Sequence, residues 1–166
     1  LGEAYAAIPD NGHREIFSLT GKDFSNRLEY MFFKKTGISI RKESQQQVLN
    51  ILSGKARFES ESSFKLSARV AEHNGVFYYD LTNPKWQAIK VSADGWEVCD
   101  NPPILFNRYT HQTENVIPKS SGEIERIFKY VNVSEYKLLF VCWLVSCFIP
   151  NIPHPMPIFY GEKGAA

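Results

Sequence analysis

The sequence predicts an α+β fold in which an antiparallel sheet with a helical pair is followed by a C-terminal helical segment. Apolar residues recur at helical spacing in residues 24–36 and 48–58. In residues 64–70 they alternate with polar residues instead, which is typical of a half-buried strand. After residue 121 the helical spacing returns. Helical and strand patterns in separate stretches of one chain favour helices packed on one side of an antiparallel sheet.

Two short runs at the start, residues 3–8 and 13–19, flank a turn-forming tetrapeptide at residues 9–12. The Asn11-Gly12 pair within it is typical of a tight hairpin turn. We therefore expect the fold to open with two antiparallel strands.

Capping signals delimit the two helices of the predicted pair. Gly37 follows the first apolar stretch and can take the left-handed conformation that ends a helix. Ser44 begins an S-x-x-Q capping box ahead of the second helix, which extends to about Phe58.

A meander of antiparallel strands is expected after the helical pair. Turns at Asn74-Gly75 and Asp94-Gly95 separate its strands, and Pro102-Pro103 marks an edge or an exit before a short extended piece. The expected strands lie at residues 76–81, 86–91, 96–99 and 104–109.

Composition divides the chain into an α+β accessory domain (residues 1–109), a polar linker (residues 110–121) and a helical segment that opens a further domain (residues 122–166). The longest apolar run, residues 138–149, is 12 residues long and is closed by Pro150. Because a membrane span needs about 20 residues, we expect this run to form a buried helix and expect no membrane partner.

Composition also excludes several classes of function. The chain carries 19 Lys and Arg against 18 Asp and Glu, so any nucleic-acid binding must come from a local patch. Its three cysteines form no even framework, and its four histidines are scattered without metal-ligand spacing. We therefore expect a reducing, cytoplasmic compartment, no metal site and no catalytic constellation.

Five basic residues form the candidate nucleic-acid site. All but the first flank the predicted turn between the two helices, where they could contact phosphates. The alternative is an ordinary solvated helix end, because lysines near a helix C-terminus complement the macrodipole. The five residues are Arg27, Lys34, Lys35, Arg41 and Lys42.

Aromatic residues on the predicted strands form a second candidate surface. Exposed aromatics on a sheet can stack bases, but strand alternation should send at least half of them into the core. The residues concerned are Phe77, Tyr78, Tyr79, Trp86 and Trp96.

Two smaller polar groups have weaker patterns. Asp80 and Asp94 could be metal-binding carboxylates, but turn geometry explains Asp94 and leaves Asp80 without a partner. His13, Arg14 and Glu15 follow a turn and are interpreted either as a polar site or as part of a surface hairpin.

The C-terminal residues have the pattern of a P-loop opening. An apolar run at residues 158–160 precedes Gly161-Glu162-Lys163-Gly164-Ala165-Ala166. In a P-loop, glycines let backbone N–H groups surround a phosphate, and a following Lys and Ser/Thr hold the terminal phosphates and Mg²⁺. Gly161 would be the first glycine and Ala166 the sixth position. We expect a truncated P-loop in a segment of a longer protein, with a flexible tail as the alternative.

Motifs along nearly the whole chain carry a family resemblance: residues 2–5, 12–15, 78–81, 86–91, 94–98, 102–103, 106–108 and 161–164. They resemble the region upstream of the P-loop in uncharacterised phage- and mobile-element-type ATPases, which have G-E-x-G-x-A-K-S/T where this chain stops. The resemblance implies a helicase or primase-helicase parent in DNA replication. It implies ATP and Mg²⁺ in the full-length parent and no cofactor in this fragment.

Three functional hypotheses follow. The first is an accessory domain of a replicative P-loop ATPase that assists DNA contact or oligomer assembly, with DNA, the rest of the ATPase and a second copy as partners. The second is a protein-interaction or regulatory module of such an ATPase without nucleic-acid contact. The third is a free-standing enzyme with an unrecognised small-molecule site.

Overall fold

The computed structural model describes residues 2–10, 12–60 and 63–161 and confirms the predicted α+β class. It opens with the predicted hairpin, formed by β1 (Tyr5–Asp10) and β2 (His13–Ser18) in antiparallel register with Asp10 opposite His13. The helical pair follows as α1 (Lys22–Thr36) and α2 (Lys42–Phe58).

The predicted end of α1 is confirmed and the predicted start of α2 is wrong. Gly37 has a φ of 74°, and its N–H donates to the carbonyl of Phe33 at 2.8 Å, which closes the helix. Helix α2 begins at Lys42 with Arg41 as its N-cap, and that cap makes no side-chain hydrogen bond. Ser44 therefore lies within the first turn of α2, and the S-x-x-Q pattern is not its capping box.

The strands form three separate sheets rather than one. The largest is an antiparallel meander of four strands: β4 (Val70–His73), β5 (Val76–Asp80), β6 (Ala88–Ser92) and β7 (Gly95–Cys99). The expected strand at residues 64–70 is interrupted, because a bend at residues 68–69 separates β3 (Leu66–Ser67) from β4. Strand β3 pairs in parallel with β8 (Leu105–Phe106).

Each half of residues 2–109 has its own apolar cluster. Ala4, Leu19 and Phe24 are buried between the hairpin and α1, and Leu49 and Leu52 of α2 pack against them. The second cluster lies under the meander and consists of the buried residues Ala71, Tyr78, Ala88 and Phe106.

The C-terminal segment is helical but not buried. It contains 3₁₀ turns at Ile124–Lys129 and Ser134–Tyr136 and then α3 (Lys137–Ser146), of which only Phe140 is buried. Leu138 and Leu139 are 76% and 68% exposed, so the prediction of a buried helix is wrong. Residues 158–160 form no strand, because no neighbouring strand in the described part of the chain satisfies their backbone.

The predicted linker, residues 110–121, contains no helix or strand. It is attached to the first part of the chain, since the Asn115 N–H donates to the Leu81 carbonyl at 2.8 Å.

Candidate functional site

Four of the five predicted basic residues lie together at the turn between α1 and α2. We call Lys34, Lys35, Arg41 and Lys42 the basic turn; all four side chains are exposed. The Nζ atom of Lys34 lies 5.7 Å from the ring centre of Tyr30, a cation–π contact. Within the described ranges, no acidic side chain pairs with any of the four. The positive charge of the basic turn is therefore open to solvent.

The helix macrodipole explains the positions of only two of the four cations in the basic turn. Lys34 and Lys35 lie in the last turn of α1, where the macrodipole favours cations. Arg41 and Lys42 lie instead at the N-terminus of α2, where the dipole disfavours positive charge and only Glu43 supplies an acid in the first turn. The solvated-end explanation therefore accounts for the two lysines of α1 but not for the two cations of α2.

Arg27, the fifth predicted residue, has a different environment. Its Nη2 donates to Asp10 Oδ2 at 2.8 Å, and this hydrogen bond raises the pKa of Arg27 above its ordinary value. Arg27 precedes Lys34 by seven positions on α1, which corresponds to about 10 Å along the helix axis. The contact joins α1 to the hairpin, so Arg27 positions the helix that carries the basic turn.

A buried ion pair between Asp80 and Arg108 lies at the end of β5. Arg108 Nε and Nη2 donate to the two carboxylate oxygens of Asp80 at 2.9 and 2.6 Å, and Nη1 donates to the Asn83 carbonyl at 2.6 Å. The Asp80 side chain is 1% exposed and that of Arg108 is 14% exposed. The pair is bidentate, the arrangement that best offsets the desolvation of two charges.

The loop between β5 and β6 encloses this ion pair. The guanidinium carbon of Arg108 lies 3.9 Å from the ring centre of Trp86. Trp86 and Thr82 have positive φ values of 56° and 54°, which are uncommon outside glycine, and the Thr82 N–H donates to Asp80 Oδ1 at 3.2 Å. The loop conformation therefore depends on the ion pair, which holds the meander and residues 106–108 together.

Asp80 is thus paired with an arginine rather than exposed to a metal ion. The sequence pattern gives Asp80 no partner, because Arg108 lies 28 positions further along the chain. Nothing in the sequence around Arg108 indicates that its side chain pairs with Asp80.

A polar cleft lies beside the hairpin turn. It has a volume of about 410 Å³ and is lined by Gly12, His13, Arg14, Trp86 and residues 100–105. The His13 ring stacks on Trp86 at 6.0 Å, and its Nε2 is buried without a hydrogen-bond partner among the described residues, 3.6 Å from Glu15 Oε1.

The lining of the polar cleft includes the ionisable side chains of His13, Arg14 and Asp100. Asp100 accepts a hydrogen bond from Gln87 Nε2 at 2.6 Å, whereas Arg14 is exposed. The described residues of the lining include no serine, threonine, cysteine or lysine that could act as a nucleophile. The cleft brings ionisable groups together, as the enzyme hypothesis requires.

The expectation that at least half of the five candidate aromatic residues lie in the core is wrong, because only Tyr78 is buried, whereas Phe77, Tyr79 and Trp86 are half-buried and Trp96 is exposed. Tyr78 is buried in the core, and Tyr79 packs on Phe148 with a ring separation of 5.3 Å. Trp96 on β7 is exposed beside Val91, its partner on β6. The meander therefore presents one exposed tryptophan rather than a platform of stacked rings.

The residues of the predicted P-loop lie at and beyond the end of the described chain. Gly161 is the last described residue, and it is exposed. Glu162, Lys163, Gly164, Ala165 and Ala166 lie outside the described residues, so their geometry takes no part in the site.

An apolar groove lies between α3 and the segment that returns along it. Its volume is about 590 Å³, and Leu139, Phe140, Trp143 and Phe159 contribute to its lining. Trp143 Nε1 donates to the Pro155 carbonyl at 2.9 Å, and the Phe140 and Phe159 rings meet edge to face at 5.9 Å.

Two further expectations concern metals and membranes. Across residues 2–10, 12–60 and 63–161, no three His, Cys, Asp or Glu side chains are grouped as metal ligands. None of the helices in the same residues combines the length and the apolar character that crossing a bilayer requires.

Comparisons of the chain with protein-family models, with curated proteins and with solved structures each find no significant match.

Proposed function

We propose that this chain is an accessory domain of a P-loop ATPase that acts on DNA, and that the basic turn is its DNA contact. The observation that carries the DNA contact is the position of Arg41 and Lys42. Both cations lie at the positive end of the 17-residue helix α2, exposed and without acidic partners in the described chain. A phosphate bound there gains from both charges and from the helix dipole.

The composition around the basic turn supports the same proposal. Residues 33–42 contain four cations and no acid, although the chain as a whole has a net charge of only +1. Positive charge is therefore concentrated locally, which is the electrostatic pattern of a phosphate-binding surface. The ATPase part of the proposal rests on the resemblance of the sequence motifs, including residues 161–164.

Replacing Arg41 and Lys42 by glutamine is expected to weaken DNA binding and its salt dependence. Each phosphate contact contributes about 0.7 for single strands, or about 0.9 for duplex, to the slope of log affinity against log salt. Losing two contacts should lower the slope by about 1.4 to 1.8. Fluorescence anisotropy with a labelled oligonucleotide at several salt concentrations measures both quantities.

The same helix offers a matched control for this experiment. The double variant Lys55→Gln/Arg57→Gln also removes one lysine and one arginine, but from the last turn of α2. Lys55 lies 13 positions after Lys42, and Arg57 lies 16 positions after Arg41. If the control lowers the affinity and slope as much as R41Q/K42Q does, DNA contact is not localised at the basic turn. If the unaltered chain binds neither single-stranded nor duplex DNA at low salt, the DNA proposal is wrong.

The ATPase part has a separate test. A P-loop that begins at Gly161 requires a Lys and then a Ser or Thr directly after Ala166. We expect the gene to encode these two residues, and we expect a protein extended through the whole ATPase domain to bind ATP with Mg²⁺. Any other pair of residues at these positions contradicts the P-loop.

The apolar groove favours a second candidate function, a protein-interaction module that contacts the rest of the parent ATPase. Met156 and Ile158, which also line the groove, are 86% and 81% exposed, so they extend its apolar lining into an exposed patch of the kind that marks interaction sites. This function predicts binding to the remainder of the ATPase without salt-dependent DNA binding, so the DNA titration separates the two candidates.

A further inference from the structure

The basic turn is bordered by exposed aromatic side chains on α1. Tyr30 and Phe33 are 53% and 51% exposed, although aromatic residues of this size usually bury most of their surface. They are three positions apart on α1, and Lys34 follows directly. Side chains three and four positions apart lie on neighbouring parts of a helix surface. The two rings and the lysine therefore form one continuous patch.

We propose that this patch selects single-stranded over double-stranded DNA by stacking bases on Tyr30 and Phe33. The inference rests on the proposed function, since it names the form of DNA that the basic turn contacts. Cations alone do not make this choice, because both forms present phosphates. Selectivity for single strands requires groups that stack on the faces of unpaired bases. In a duplex these faces are covered by the neighbouring base pairs.

The contact between Lys34 and Tyr30 fits this role. The Nζ atom lies over the ring, 5.7 Å from its centre, and makes no ion pair with a described carboxylate. A base that stacks on Tyr30 would bring its own phosphate near Lys34. Stacking and phosphate neutralisation would then occur on the same nucleotide, as in single-strand binding proteins that combine basic grooves with aromatic residues.

The opposite end of the helical pair lacks this combination. Phe58 is 77% exposed at the end of α2, and the nearby cations Lys55 and Arg57 lie at a helix C-terminus, where the dipole itself favours them. Exposed aromatic rings and dipole-disfavoured cations thus occur together only at the end with Tyr30 and Phe33, within the described residues of the pair.

The experiment compares an oligothymidylate with a hairpin duplex by fluorescence anisotropy at one salt concentration. Tyr30→Leu with Phe33→Leu keeps the apolar area but removes the flat rings. We expect the unaltered chain to bind the single strand at least about tenfold more tightly than the duplex, and the double variant to lose most of that factor. Its salt slope should stay unchanged, because no phosphate contact is lost.

Phe58→Leu is the matched control and should leave both affinities within about twofold, since stacking energy is lost only where bases stack. Equal binding of single strand and duplex by the unaltered chain would overturn the inference and leave the DNA proposal intact. A double variant that retains the full preference would overturn it too. Absence of binding to either probe at low salt would instead overturn the proposed function, and thermal unfolding confirms that each variant is folded.

Discussion

Replacing Arg108 by leucine is expected to destabilise the fold by about 3 to 5 kcal/mol, because it leaves the Asp80 carboxylate buried without a counter-charge. Asp80 is almost completely buried and accepts two hydrogen bonds from Arg108. Arg108 also closes the loop after β5 through the Asn83 carbonyl and the Trp86 ring. Urea unfolding followed by circular dichroism measures the change in the free energy of unfolding.

Two further variants show whether the loss comes from the unpaired charge. Arg57→Leu removes an exposed arginine and should change the free energy of unfolding by no more than about 0.5 kcal/mol. Replacing Asp80 and Arg108 together by leucine and methionine should cost clearly less than Arg108→Leu alone, because no buried charge remains. If the single variant costs less than about 1 kcal/mol, Asp80 is not held as a buried ion, and the described geometry of the loop is wrong.

Local features of the fold could be predicted from the sequence, because their causes are local. The Asn74-Gly75 turn and the glycine that ends α1 act within a few residues, and the structure contains both of them. The basic turn is predictable for the same reason, since Lys34 and Lys42 flank one short connection between α1 and α2.

Features that depend on distant residues were missed. The parallel pairing of β3 with β8 joins residues 39 positions apart, Leu66 with Leu105, and the Asp80–Arg108 ion pair spans 28 positions. Periodicity reports which side of an element is apolar, but not what covers that side. For this reason the apolar run at residues 138–149 predicts a buried helix, whereas Leu138 and Leu139 of α3 are exposed.

Phe24→Ala should cost about 3 to 5 kcal/mol, since it empties the centre of the cluster that joins the hairpin to the helical pair. Phe24 is buried beside Leu19, and its ring lies 6.3 Å from that of Phe17 on β2. Phe33→Ala on the same helix is the control; because half of Phe33 is exposed, it should cost about 1 kcal/mol or less. Chemical unfolding of the two variants gives the comparison.

The difference between these two variants bears on the proposed DNA contact. If α1 is held to the hairpin through Phe24 and through the Arg27–Asp10 ion pair, its C-terminal end carries the basic turn in a fixed position. Phe24→Ala should then weaken DNA binding through loss of folded protein, whereas Phe33→Ala should weaken single-strand binding in a fully folded chain. Equal unfolding costs for the two variants would contradict the packing of α1, and the basic turn would then lack the rigid support that preorganised binding requires.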